Sequence, residues 1–114
     1  MSARSIRGKV AIAGVGESTY YKHGQSPDAE FVLALQAIVR AAEDAGINPQ
    51  DIDGFASYSN DRSDPSRIGA ALGIPDLRFS NMQFGGGGGG VAAAVANGAA
   101  AVANGYADCV VVFR

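Results

Sequence analysis

The chain divides into short apolar blocks that are separated by glycine, proline and polar residues. Residues 9–14 and 54–59 are brief runs of β-branched, aromatic or small residues, and each predicts a strand. Residues 76–82 predict a third strand. Residues 109–113, Cys-Val-Val-Val-Phe, predict a fourth strand that is buried in the protein interior.

Helices are predicted between these strands. In residues 29–45 apolar side chains recur at helical spacing, with Ser26 as the predicted N-cap and Gly46 as the predicted end. Residues 67–72 predict a short helix that ends at Gly73, and residues 91–103 predict a helix of valine, alanine, glycine and asparagine alone. The order β-α-β-α-β-α-β is typical of an α/β protein with a largely parallel sheet.

Composition and charge narrow the class of protein. A chain of 114 residues allows one domain at most, and 47% hydrophobic with 18% charged residues excludes a disordered or collagen-like chain. The net charge of -2 disfavours nucleic acid or an anionic membrane as the main partner. With one cysteine and no apolar leader after the N-terminus, we expect a cytoplasmic protein.

The uncharged segment at residues 84–107 is long enough to span a membrane. Its glycine, alanine and asparagine content favours instead a helix that is buried on all sides within a protein. The chain then stops inside its predicted last strand at Arg114. We therefore expect residues 1–114 to be the incomplete N-terminal part of a larger domain.

Two glycine-containing segments are candidate binding loops. Gly14 and Gly16 follow the first predicted strand, as in a dinucleotide-binding fingerprint. The place of the third glycine is taken by Thr19, and no helix is predicted to begin there, so a tight turn is the better interpretation.

A run of six glycines carries more information. Its members are Gly85, Gly86, Gly87, Gly88, Gly89 and Gly90. Bare backbone at the start of a helix offers unpaired N–H groups and a positive dipole, which suit an oxyanion or a thioester oxygen. Missing side chains also leave room for a bulky substrate, so these glycines are candidate substrate-binding residues. Dense backbone packing without a ligand explains the run about equally well.

The remaining polar residues favour structural interpretations. His23, the one histidine, lies in a polar loop without a positioned partner. Cys109 is expected to be buried and inert, because a reactive thiolate needs electropositive, partly exposed surroundings. One loop is expected to be solvated, although it could contact a ligand or a partner. Its charged residues are Asp61, Arg62, Asp64 and Arg67.

Taken in order, these segments resemble the thiolase superfamily, in particular its sterol-carrier-protein/lipid-transfer type. Residues 10–20 resemble the opening strand and loop of that family, and residues 26–54 resemble its first long helix and the following strand. Residues 81–112 resemble its buried nucleophile helix and the next strand. The resemblance covers nearly the whole chain and implies an α/β, thiolase-like layered αβαβα fold, of which this chain is the front part of the first half.

The sequence departs from the thiolase pattern at the nucleophile. Thiolases place a cysteine at the start of the buried helix, and the matching position is near Gly88, where this chain has no nucleophile. The resemblance therefore implies a carbon–carbon lyase rather than an acetyltransferase. It would cleave β-hydroxyacyl-CoA thioesters, such as steroid side-chain intermediates of lipid metabolism, by a retro-aldol reaction. CoA would be part of the substrate, no separate cofactor or metal is expected, and the catalytic base would lie beyond Arg114.

The resemblance also implies partners. Thiolase-like proteins are typically homodimers, and here the strand at residues 76–82 would form the interface. Steroid side-chain aldolases of this kind work with a partner that carries an OB-fold of the DUF35 type. Two alternatives stay open: a non-catalytic subunit that binds acyl-CoA or lipid or scaffolds an active partner, and, more weakly, a nicotinamide-binding fold.

Overall fold

The computed structural model describes residues 5–59, 61–85 and 87–114, which form a three-stranded parallel sheet and three α-helices. The strands are β1 (Gly54–Tyr58), β2 (Phe79–Gln83) and β3 (Val110–Val112), in the order β2-β1-β3. The helices are α1 (Glu30–Ala45), α2 (Pro65–Leu72) and α3 (Gly90–Ala103). Short 3-10 helices occur at Pro49–Asp51 and Gly87–Gly89. The predicted parallel α/β arrangement is confirmed.

Helices cover both faces of the sheet. Successive residues of a strand point to opposite faces. Phe55 of β1 and Val111 of β3 therefore face α1 and α2 in the main core, while Val110 and Val112 face α3. On the first face Phe55 meets Phe113 edge to face, with ring centroids 6.0 Å apart. The largest fully buried side chains lie on that face and at its border: Ile38, Ile52, Phe55 and Ile68.

The helix ends show which local signals the fold uses. Gly46 and Gly73 end α1 and α2 in the left-handed conformation, with φ of 72° and 73°, as predicted for glycine C-caps. The prediction that Ser26 caps α1 is wrong. Its hydroxyl instead forms a local turn with the backbone of Asp28, and α1 begins at Glu30 after Ala29, which makes no side-chain cap.

The strand predicted at residues 9–14 is absent from the described part of the chain. A strand needs a hydrogen-bonded neighbour, and the sheet formed by the described residues does not pair with this segment. It lies against α1, where the Val15 N–H donates to Asp44 Oδ2 at 2.9 Å. A Cβ on Gly14 would lie 2.6 Å from the carbonyl oxygen of Ala41, and Gly16 approaches α1 just as closely. These glycines therefore serve close backbone packing on α1, which gives no support to the dinucleotide interpretation.

The prediction that the small-residue helix is buried on all sides also needs correction. Helix α3 buries Ala94, Gly98 and Ala101 against the sheet, whereas Val91 and Val95 are 47% and 41% exposed. The described residues supply a packing partner on one side of α3 only. No helix in residues 5–59, 61–85 and 87–114 is long and apolar enough to cross a membrane.

Candidate functional site

The candidate site lies at the carboxyl edge of the sheet. All three described strands run in the same direction, so β1, β2 and β3 end together at this edge. Beyond β2 the chain enters the glycine run, and beyond β1 it enters the loop that leads to α2. In open α/β sheets, ligands bind in the crevice outside the carboxyl ends of the strands. The predicted glycine site therefore occupies the edge where a ligand site is expected.

The described glycines of the run adopt different backbone conformations before α3. Gly85 has a φ of 73°, a left-handed conformation that favours glycine. Gly86 lies outside the described residues. A 3-10 turn spans Gly87–Gly89, and Gly90 is the first residue of α3. The bare backbone of the run thus leads directly into the N-terminal end of the helix, where N–H groups lack helical partners.

The glycines of this run differ in what surrounds them. Among the residues that the structure describes, a Cβ added to Gly88 or Gly89 would meet no atom within 4 Å, and both glycines are exposed. A Cβ on Gly90 would lie 2.7 Å from Cδ2 of Tyr58. The Tyr58 ring occupies the space that a side chain at position 90 would fill, so packing explains why this residue is glycine. Packing among the described residues does not account for Gly88 and Gly89, which lie beside open space at the start of α3.

Replacing Gly90 with alanine is expected to destabilise the protein by about 1–3 kcal/mol, because the new methyl group overpacks against the Tyr58 ring. The matched change at Gly88 leaves the free energy of unfolding within about 0.5 kcal/mol of wild type. Urea unfolding of both variants measures the difference. Equal free energies of unfolding for the two variants would show that the Tyr58 ring does not pack tightly against Gly90.

A charged cluster lies beside the glycine run. The side chain of Asp61 is only 4% exposed, and Nη1 of Arg114 lies 3.6 Å from its Oδ2. The Ser63 N–H donates to Asp61 Oδ1 at 2.7 Å. The guanidinium carbon of Arg114 also lies 5.6 Å from the ring centroid of Tyr58. Tyr58 therefore contacts both Arg114 and the first residue of α3.

The loop at residues 61–67 was expected to be solvated, and this expectation is wrong for Asp61. The chain turns at Ser59, whose φ of 57° is left-handed, and the loop then buries the Asp61 carboxylate against Arg114. Asp64 caps α2 by accepting the Ser66 N–H at 2.9 Å. The guanidinium of Arg67 lies 4.5 Å from the ring centroid of Phe31.

The remaining polar residues of the loop and of the N-terminal segment lie at the surface. Arg62 and His23 are exposed. The exposure of His23 agrees with its interpretation as a surface residue. Within residues 5–59, 61–85 and 87–114, histidine, cysteine and carboxylate side chains form no group of three able to hold a metal ion.

Cys109 lies at the opposite edge of the sheet. It is half-buried, and its backbone N–H donates to Asp53 Oδ1 at 2.9 Å. Burial raises the pKa of the Cys109 thiol, and the nearby carboxylates of Asp53, Asp51 and Asp108 raise it further. The thiol is therefore protonated at neutral pH, which agrees with the predicted inert cysteine.

Alkylation of Cys109 by iodoacetamide at neutral pH is expected to be much slower in the folded protein than in urea. Because the folded-state pKa is raised, the folded state holds the thiol proton more tightly than the unfolded state. The stability that this contributes is present at neutral pH and is lost as the pH rises past the ordinary thiol value. Equal alkylation rates in the folded and unfolded protein would contradict a raised pKa.

Known proteins resemble this chain both in sequence and in fold. No protein-family model matches the chain. Two curated relatives are each 37% identical over 110 residues: 17-hydroxy-3-oxo-4-pregnene-20-carboxyl-CoA lyase of Mycobacterium tuberculosis and steroid side-chain-cleaving aldolase of Thermomonospora curvata. The alignments cover 96% of this chain but only 28% and 27% of the relatives. The chain thus spans just over a quarter of their length.

Solved structures decide the fold. An Ltp2-ChsH2(DUF35) aldolase matches 91% of this chain with a TM-score of 0.83 and 38% identity, which is 26% of that chain. The 3-oxoacyl-[acyl-carrier-protein] synthase III of Aquifex aeolicus matches 76% of this chain and 29% of its own, with a TM-score of 0.62 and 17% identity. The fold is thiolase-like. The priming β-ketosynthase of the R1128 polyketide pathway agrees, with a TM-score of 0.60, 27% identity, and 76% of this chain and 27% of its own covered.

Within the thiolase-like fold, sequence reasoning singled out the glycine run but missed the side chains that lie beside it. The sequence pattern indicates only that Tyr58 belongs to a strand and that Arg114 follows the last strand. A weak signal was available, because Tyr58 ends one parallel strand and Arg114 follows another, and side chains converge at the carboxyl ends of such strands. No sequence pattern predicted that the side chain of Asp61 is buried.

Proposed function

We propose that the complete protein is a carbon–carbon lyase that cleaves β-hydroxyacyl-CoA thioesters by a retro-aldol reaction. The observation that carries the proposal is the open glycine turn at the start of α3, which offers bare backbone N–H groups and no nucleophilic side chain. The curated relatives support it, because one is named a carboxyl-CoA lyase and the other a side-chain-cleaving aldolase. Steroid side-chain intermediates are the substrate class that we propose from these names.

The reaction needs no acyl-enzyme. A base takes the proton of the β-hydroxyl group, the bond between the α and β carbons breaks, and the β carbon becomes a ketone or an aldehyde. The bonding electrons form the enolate of the thioester, and a proton returned to the α carbon completes the shortened acyl-CoA. Positioned donors at the enolate oxygen lower the barrier. In our proposal the N-terminal end of α3 supplies such donors, and the base comes from residues beyond Arg114.

The open room at Gly88 and Gly89 suits a crowded substrate. A β carbon that carries a hydroxyl group and belongs to a ring system is fully substituted, so it needs space that a side chain would occupy. We propose that Gly85 to Gly90 shape the substrate pocket, with Gly88 and Gly89 beside the substrate and Gly90 packed on Tyr58. CoA is part of the substrate in this proposal, and no further cofactor takes part.

We also propose that the protein is a homodimer that pairs with a DUF35-type partner carrying an OB-fold. Strand β2 is an edge strand of the described sheet, and its central residues Ser80, Asn81 and Met82 are exposed. Phe84, just after β2, is 73% exposed. An exposed strand edge next to apolar side chains is a surface that needs a partner. The solved aldolase complex, whose name includes DUF35, supports the second partner.

Light scattering of the complete protein is expected to give the mass of a dimer. Changing Asn81 to arginine should shift that mass toward the monomer, because a buried unpaired charge opposes close approach of two β2 edges. The matched change at exposed Asn104, outside the strand, should leave the dimer intact. A wild-type protein that is monomeric at micromolar concentration would contradict this assembly.

A cleavage assay tests the proposed reaction. The complete protein, co-purified with its OB-fold partner, is mixed with a β-hydroxyacyl-CoA whose β carbon is fully substituted. The expected products are a ketone and a shortened acyl-CoA in equal amounts. Binding of the acyl-CoA without any cleavage would support the non-catalytic subunit instead.

A further inference from the structure

The proposed retro-aldol steps do not use the ion pair between Asp61 and Arg114 at the carboxyl edge of the sheet. The carboxylate of Asp61 is almost wholly buried, whereas the side chain of Arg114 is 45% exposed. Burying a carboxylate costs several kcal/mol unless it is paired and hydrogen-bonded. Asp61 meets this cost with the Arg114 guanidinium and the Ser63 N–H. The partly exposed guanidinium of Arg114 is therefore paired with a buried, hydrogen-bonded carboxylate.

A second contact restricts the orientation of this guanidinium. Its carbon lies 5.6 Å from the ring centroid of Tyr58, within reach of a cation–π interaction. A guanidinium presents five N–H donors in a rigid plane. The Asp61 oxygen lies at one of its nitrogens, so donors remain for another acceptor. Arg114 is therefore held in one place while part of it faces solvent.

Tyr58 connects this cation to the glycine run. The same ring that lies under Arg114 occupies the space left by the missing Cβ of Gly90, where α3 begins. The guanidinium and the first turn of α3 thus flank one aromatic side chain. An anionic oxygen beside the glycines would come within the field of both, and charge-assisted hydrogen bonds from arginine are about twice as strong as neutral ones.

We propose that Arg114 binds the thioester oxygen of the acyl-CoA as that oxygen becomes anionic, and that Asp61 is the positioning residue that holds Arg114 there. This inference rests on the proposed retro-aldol function. When the bond between the α and β carbons breaks, its electrons move onto the thioester oxygen. A guanidinium N–H donates to that oxygen, and no proton is transferred from arginine.

Two CoA analogues test the inference without turnover. S-carboxymethyl-CoA carries an anionic oxygen near the position of the thioester oxygen, and S-carbamoylmethyl-CoA is a neutral analogue of nearly the same shape. By calorimetry the full-length wild-type protein is expected to bind the anionic analogue about tenfold more tightly than the neutral one. Arg114→Gln removes most of this preference and leaves the part that comes from the N–H groups at the start of α3. Asp61→Asn also lowers it, because the guanidinium is no longer held. Arg78→Gln, an exposed arginine at the opposite edge of the sheet, keeps it.

Each outcome separates the inference from the proposed function. An undiminished preference in Arg114→Gln, or an absence of preference in wild type, overturns the inference and leaves the acyl-CoA site standing. A wild-type protein that binds neither analogue overturns both. A purely structural ion pair would lower the melting temperature of both variants without changing the ratio of affinities. If Asp61→Asn fails to fold, the half-exposed Arg114→Gln variant decides the question.

Discussion

Replacing Gly88 with valine is expected to lower kcat/KM for the acyl-CoA substrate by about 100-fold or more, because displacing the reacting atoms by about 1 Å has an effect of this size. The free energy of unfolding should stay within about 0.5 kcal/mol of wild type. The structure supports both halves of this expectation. Gly88 is exposed, its φ is not positive, and an added Cβ meets nothing within 4 Å. The valine side chain therefore fills only the open room beside α3.

Steady-state kinetics and urea unfolding of the same preparation check this prediction. Gly88→Ala is the graded control, and it should lose less activity than the valine variant because it fills less space. Gly88→Cys is expected to yield no efficient acetyl transfer, since a thiol alone does not supply the other groups of a thiolase site. Unchanged turnover in the valine variant would mean that these glycines do not face the substrate, which would favour the non-catalytic subunit.

Replacing Asp53 with alanine is expected to destabilise the protein by about 2–4 kcal/mol, because its carboxylate accepts hydrogen bonds from two backbone N–H groups. One carboxylate oxygen accepts the N–H groups of Asp108 and Cys109 at 3.0 Å and 2.9 Å. The other oxygen lies 3.1 Å from the Asp108 nitrogen. Hydrogen bonds to a charged group contribute about 1.5–3 kcal/mol each, and those near solvent contribute less. Asp53 thus ties the start of β3 to the start of β1.

Urea unfolding measures this effect against two controls. Asp53→Asn keeps one acceptor oxygen and is expected to lose about half as much stability. Asp51→Ala removes a nearby exposed carboxylate and should change the free energy of unfolding by less than about 0.5 kcal/mol. A loss at Asp53 no larger than that at Asp51 would show that the carboxylate does not hold β3.

The parts of the fold that the sequence predicted depend on local signals. Gly46 and Gly73 end their helices because the left-handed C-cap conformation is a property of glycine itself. The apolar run at residues 109–113 predicted β3 because consecutive β-branched residues favour a strand. The predicted full burial is not met in the described chain, where Val110 and Val111 are half-buried and Val112 is exposed. The alternation of these elements was enough to predict a parallel sheet.

The parts that sequence reasoning missed depend on distant neighbours. Residues 9–14 have the composition of a strand, but a strand forms only beside a partner, and the segment packs instead on α1 through Gly14. Gly88 and Gly90 are the same residue type in one run, and only the position of Tyr58 separates an open glycine from a packed one. The burial of Asp61 likewise depends on Arg114, far along the chain.

The most direct measurement of the central claim is mass spectrometry of the acyl-CoA product formed in D₂O with isotope-labelled free CoA present. The retro-aldol account predicts a shortened acyl-CoA that carries one deuterium on its α carbon, because the enolate is protonated from solvent-exchangeable groups. It also predicts that the product keeps the unlabelled CoA of the substrate. A product that carries the labelled CoA would reveal acyl transfer through an enzyme nucleophile, and it would contradict the account.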